Sequence, residues 1–110
     1  NSSKAAVLHM ARTIANEFGP DNIRANSVLP GAVFGGSAMW TQELREARAM
    51  IHGFHPDKLE EEYKKNNALG VIIDPAEIAE VVVFLSSDRS AKMTGNALVI
   101  DGGGLGGFVR

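Results

Sequence analysis

The chain has 110 residues, 45% hydrophobic and 22% charged, which is the composition of a folded globular segment and argues against disorder. A count of 11 Lys and Arg against 13 Asp and Glu leaves a net charge of -2, with no electrostatic footprint for a nucleic-acid backbone or an anionic membrane. Cysteine is absent, which excludes disulfides, thiolate metal sites and cysteine nucleophiles and fits a reducing, cytoplasmic setting, and no apolar run approaches the ~18 residues of a membrane span.

Ser2 to Phe18 places Ala5, Ala6, Leu8, Ala11, Ile14, Ala15 and Phe18 at helical spacing, with Lys4, His9, Arg12, Asn16 and Glu17 opposite. Gly19 is expected to take the left-handed cap and Pro20 to stop the helix. Ile23 to Leu29 follows as a strand bounded by Pro30-Gly31. Pro30 to Ser37 is a loop of small residues. Thr41 to Ile51 reads as a helix broken by Gly53 and Pro56, and Asp57 to Asn67 as a second, polar helix anchored by Leu59 and Tyr63. Asp74 to Ser86 carries the strongest helix signals: Asp74 as N-cap, Pro75 at the first helical position and Glu77 closing a capping box. Its apolar residues cover much of the circumference, so it is expected to be well buried. Ala97 to Ile100 is the second strand, after a turn at Thr94-Gly95, and Gly102 to Gly107 reads as a turn and flexible tail.

Strands separated by helices imply parallel pairing through crossovers, the α/β pattern. Two strands make a poor parallel sheet, which needs cover on both faces. Because Asn1 leads directly into helical sequence, the chain is expected to be part of a larger domain.

Several segments resemble the short-chain dehydrogenase/reductase family. Ser2-Ser3-Lys4-Ala5-Ala6 looks like its active-site helix, with Lys4 as the Lys of Tyr-x-x-x-Lys and the Tyr immediately before Asn1. Ile23-Arg24-Ala25-Asn26-Ser27-Val28-Leu29-Pro30-Gly31 is similar to the family strand that ends in Pro-Gly beside the nicotinamide. Asp74-Pro75-Ala76-Glu77, Phe84-Leu85-Ser86-Ser87-Asp88, Thr94-Gly95 and Val99-Ile100-Asp101-Gly102-Gly103 follow in the family's order. The resemblance implies the C-terminal part of a Rossmann-type doubly wound parallel sheet, in a domain about twice this length whose other half holds the phosphate loop. It implies an NAD- or NADP-dependent enzyme that interconverts an alcohol and a ketone or aldehyde, assembled as a homodimer or homotetramer. Without that other half, residues 1–110 alone are expected to be inactive.

The chemistry explains the residue types. Reducing a ketone requires a proton at the developing alkoxide, and a free phenol titrates near ~10. An ammonium one helical turn away favours the phenolate and lowers that value. The resemblance gives Lys4 this role and a hydrogen bond to the nicotinamide ribose; alone, Lys4 reads as a solvated lysine. It gives Pro30, Gly31, Ala32 and Val33 the nicotinamide end, since ligands of open α/β sheets bind beyond the carboxyl ends of strands. Where the family has Thr two residues after Val33, this chain has Gly35, and Ser37 is the nearby hydroxyl able to replace it. Residues 35–67 are the variable part, read as a substrate-binding lid, with Met39, Trp40, Ile51 and Phe54 as candidates to line the pocket or anchor the lid.

Two patterns are set aside. Gly102, Gly104 and Gly107 spell G-x-G-x-x-G, but no helix and βα unit follow. His52, His55 and Asp57 are interrupted by Gly53 and Pro56, so no metal site is expected. Two other functions stay open: a non-catalytic binding protein of the same fold, and a reductase of acyl-thioester substrates with a different Tyr spacing.

Overall fold

The computed structural model describes residues 2–36 and 38–105. Its elements are α1 (Ser2–Phe18), β1 (Ser27–Pro30), α2 (Gln42–His52), α3 (Leu59–Lys64), α4 (Pro75–Ser86) and β2 (Ala97–Ile100), with 3₁₀ turns at Gly19–Asp21, Pro56–Lys58 and Asp88–Ser90. The chain divides into two compact units, Asn1–Leu29 with Ala79–Val99, and Pro30–Ile78 with Ile100–Arg110. Among the described residues no helix is long and apolar enough to cross a membrane.

The strands pair in parallel. Ser27 N–H donates to Asn96 O and Gly31 N–H to Ile100 O, each at 2.8 Å, so donor and acceptor advance in the same sense, 27 to 31 against 96 to 100. The first strand is shorter at its start than the expected 23–29, and the reason is polar. Arg24 and Asn26 direct their side chains to a loop instead of extending the ladder. Arg24 Nη2 donates to Leu85 O at 2.8 Å and Ser87 O at 3.3 Å, and Nη1 to Ser90 O at 2.9 Å and Met93 O at 3.2 Å. Asn26 Nδ2 donates to Met93 O at 2.9 Å, and its Oδ1 accepts from Asn96 N–H at 3.1 Å. The bond to Leu85 satisfies a carbonyl in the last turn of α4, and the others hold the loop that follows it.

In this first unit α1 buries Ala15 and half-buries Leu8, Ala11 and Ile14, while Ala5, Ala6 and Phe18 are exposed. The stop differs in detail from expectation. Gly19 and Pro20 continue as a 3₁₀ turn, and the left-handed residue is Asn22, with φ 62° and its N–H on Gly19 O. Asn reaches that region more readily than other residues with a Cβ. The expectation that α4 is well buried is corrected: none of its residues is buried, and Val82 and Val83 are exposed. A pair of four-residue strands presents too little surface to cover an all-round apolar helix.

The second unit packs around Leu59 (0% exposed), Ala49, Phe34 and Ile73. α2 starts on Thr41, whose hydroxyl accepts from Leu44 N–H at 3.2 Å, and ends at Gly53. α3 is shorter than the expected 57–67. It ends at Lys64 because Asn67 offers the backbone a local alternative. Asn67 Nδ2 donates to Tyr63 O at 3.3 Å and Val71 O at 2.9 Å, and Oδ1 accepts from Val71 N–H at 3.1 Å. The glycines after β2 are also corrected from a flexible tail, as far as they are described. Ala68 N–H donates to Gly103 O at 2.9 Å and Leu69 N–H to Gly102 O at 3.0 Å, with an antiparallel bridge between Asn67 and Gly104. Gly106 and Gly107 lie outside the described residues. The start of α4 is as expected: Ala76 N–H donates to Asp74 Oδ1 at 2.9 Å and Asp74 N–H to Glu77 Oε2 at 2.8 Å.

Replacing Arg24 by Met should destabilise the first unit by about 3 kcal/mol, because several buried or half-buried carbonyls lose a charged donor. Lys should restore little, since a point charge cannot span the fork; urea denaturation checks both. In the second unit Arg45 Nη2 lies 2.7 Å from Glu60 Oε2, joining α2 to α3. The hydrogen bond from Arg45 holds the Glu60 carboxyl below its usual range, against an opposing desolvation penalty. A lowered folded pKa means that the pair stabilises above the unfolded carboxylate range and is lost as pH falls through the folded value. Because the pair is partly exposed, Glu60→Gln should cost only about 0.5 kcal/mol at neutral pH, and the difference from the parent should vanish on acidification. Melts compared across that range test this.

Candidate functional site

The segment that leaves the carboxyl end of β1 is held by short contacts. Gly31 has no room for a side chain: a Cβ there would lie 2.9 Å from Asp101 Cβ and 3.0 Å from Asp101 Cα. Ala32 follows. Val33 forms a parallel bridge with Ile73, and Phe34 N–H donates to Ile73 O at 3.0 Å. Phe34 is buried and stacks on Trp40, with centroids 4.5 Å apart and planes 4° from parallel. Tyr63 meets both rings edge-on, at 5.3 and 5.4 Å. The Trp40 indole N–H donates to Val33 O at 2.6 Å.

A cleft of about 230 Å³ opens beside this segment, lined by Gly31, Ala32, Tyr63, Asn66, Asn67 and Asp101 among others. Ligand pockets start near ~300 Å³, so the cleft suits one ring-sized end of a larger ligand. Small residues at its rim leave the backbone approachable.

Of the residues that the sequence points to, Gly31 and Ala32 line this cleft, and Pro30 and Val33 adjoin them in the chain. Trp40 is brought onto Val33 and Phe34. Phe54 is half-buried and its ring stacks on His52 at 6.1 Å. Met39 and Ile51 are exposed, Ile51 by 72%. Ser37 lies outside the described residues. Lys4 belongs to the first unit, exposed in the first turn of α1. His55 Nδ1 accepts from Asp57 N–H at 3.3 Å and so caps the Pro56–Lys58 turn. Among the described residues no group of His, Asp and Glu is arranged to hold a metal ion.

Sequence reasoning does not single out Phe34, Tyr63 and Asp101 as site residues, although all three bear on it. Phe34 directly follows Val33, and that adjacency is the available signal. Gly35 has φ +66°, and a Cβ on it would lie 2.7 Å from Asp74 Oδ2. The departure from the usual Thr is therefore one that this backbone requires.

Residues 1–104 match the profile of the family described as Enoyl-(Acyl carrier protein) reductase. The chain belongs to the short-chain dehydrogenase/reductase family. An uncharacterized oxidoreductase of Bacillus subtilis (strain 168), YuxG, is 48% identical over 110 residues, which is 100% of this chain and 16% of that protein. A structure of 4-hydroxyisoleucine dehydrogenase complexed with NADH is 32% identical with a TM-score of 0.74, covering 97% of this chain and 39% of that one. L-sorbose reductase from Gluconobacter frateurii, complexed with NADPH and L-sorbose, is 27% identical with a TM-score of 0.79, covering 98% of this chain and 40% of that one. The chain thus spans well under half the length of these relatives. Its parallel strand pair and flanking helices are part of the family's Rossmann-type α/β architecture.

Gly35→Thr, which restores the usual family residue, should destabilise the second unit by about 2 kcal/mol, since a β-branched residue is strained at positive φ and its Cβ meets a carboxylate. Thermal melting of the variant beside Gly35→Ala checks this, and Ala should cost less.

Proposed function

We propose that the protein carrying this chain is an NAD- or NADP-dependent oxidoreductase that interconverts an alcohol and a ketone or aldehyde. The observation that carries the reading is the glycine-containing rim at the carboxyl end of β1, inside the stretch matched to the family. The nicotinamide, when bound, supplies or accepts the hydride. Pro30 to Val33 hold its carboxamide end: Pro30 stiffens the exit from the strand, and Gly31 lets that exit lie against Asp101. Lys4 places an ammonium one helical turn from the preceding family tyrosine position. There it favours the ionised phenol and so moves its proton exchange toward neutral pH. Lys4 also donates to the nicotinamide ribose. Residues 35–67 act as the substrate-binding lid, with Met39, Trp40, Ile51 and Phe54 supplying its apolar contacts. The NADH and NADPH complexes of the two related structures support both dinucleotides equally. The substrate is a small molecule, and the protein works as a homodimer or homotetramer in the cytoplasm.

A second reading, reduction of an acyl thioester, is favoured by the description of the matched family profile. A panel of ketones, 3-oxoacyl thioesters and 2-enoyl thioesters, assayed with each dinucleotide, separates the two. In the full chain as its gene encodes it, Lys4→Ala should lower kcat/KM by about 10²-fold or more and move the pH profile to the alkaline side. Unchanged turnover in that variant would sink the assignment.

A further inference from the structure

We infer that Trp40 is a positioning residue for the dinucleotide, acting through the Val33–Phe34 peptide; this rests on the reading that Pro30 to Val33 hold the nicotinamide end. A peptide unit is planar, so fixing its carbonyl and its N–H fixes the whole plane. Here both are engaged. The carbonyl of Val33 accepts from the Trp40 indole N–H at 2.6 Å. The N–H of Phe34, in the same plane, donates to Ile73 O at 3.0 Å. The side chains add a second constraint. Phe34 is 4% exposed and lies flat on the Trp40 ring, with Tyr63 closing the edge of both.

The chain positions of these rings give the contact its consequence. Trp40 directly precedes Thr41, the N-cap of α2, and Tyr63 sits on α3. The two helices of the proposed lid are therefore tied to the same peptide that lies next to the rim. Pocket-lining contact alone would leave the indole N–H for a ligand; instead it is spent on Val33. Trp40 therefore sets the orientation of the binding backbone, and any substrate contact it makes is through its ring.

Trp40→Phe keeps an aromatic face for Phe34 and removes only the donor. In the full chain, the Kd for NADH or NADPH should weaken about fivefold, the loss of one ordinary hydrogen bond. Amide exchange at Phe34 should speed up in the variant without any ligand present, by about tenfold. A variant that only melts earlier, with Kd and Phe34 exchange unchanged, would overturn the proposal. Should Trp40→Phe not fold, the parent answers by NMR. A slowly exchanging Trp40 indole proton that shifts on adding either dinucleotide supports the proposal, and a fast-exchanging, unmoved one overturns it. If the parent binds neither NADH nor NADPH, the reading of Pro30 to Val33 fails and this inference falls with it. If the parent binds and Lys4→Ala is inactive while Trp40→Phe binds normally, only the inference about Trp40 fails.

Discussion

A parallel pair of short strands cannot set its own register. No hairpin joins the strands, so the alignment must come from groups outside the ladder. In this chain those groups are Arg24 and Asn26. The guanidinium reaches Leu85, Ser87, Ser90 and Met93 carbonyls, and the Asn26 amide bridges Met93 and Asn96. Ala25 contributes from the backbone, accepting from Gly95 N–H at 2.7 Å and donating to the Thr94 hydroxyl at 3.1 Å. Together they hold residues 24–27 beside 93–96 at the start of the ladder. The stretch that resembles a strand in sequence is thus a polar clamp followed by a strand.

The second unit solves a related problem with aromatic packing. Its helices are short and mostly solvated, and α3 spans only six residues. Helices of that length do not hold themselves. Leu59 is fully buried, and Tyr63, one turn on, closes the ring cluster with Phe34 and Trp40. The partly exposed Arg45–Glu60 pair adds orientation more than stability. The cluster is what gives α2 and α3 a common anchor.

What is legible in the sequence follows from the range of each signal. The cap of α4 is local: Asp74, Pro75 and Glu77 act within one turn, and their roles read directly from residue type and spacing. The strand at Ala97–Ile100 and the length of α1 are legible for the same reason. The early end of α3 and the pairing of Gly102 and Gly103 are not. Asn67 ends the helix through its side chain, and Ala68 and Leu69 meet glycines more than thirty positions away, which periodicity does not register. The burial of α4 misleads because an all-round apolar helix signals cover, whereas cover depends on how much sheet is present. In the candidate site, motif order points to Pro30 to Val33, whereas the indole that bonds the Val33 carbonyl belongs to Trp40, seven residues on in a part of the chain whose pattern is variable.

Gly31 and Gly35 show how a motif departure should be weighed. Each can be read as a concession to a ligand, the first allowing approach and the second losing a hydroxyl. The geometry gives each a reason inside the fold. A side chain at position 31 would strike Asp101, and one at 35 would strike the Asp74 carboxylate while forcing a side chain into a left-handed backbone. Asp74 is itself committed as the N-cap of α4, and Asp101 Oδ1 accepts from Gly103 N–H at 2.9 Å. The contact at 31 is with Asp101 Cα and Cβ, which no side-chain rotation moves, and the Asp74 carboxylate cannot turn away from 35 without giving up its bond to Ala76 N–H. The small residues that leave the rim open to a ligand are therefore required first by the acidic residues that cap and turn the chain behind it. The absent hydroxyl at position 35 is a consequence of how α4 begins, and says nothing by itself about whether the chemistry has been lost.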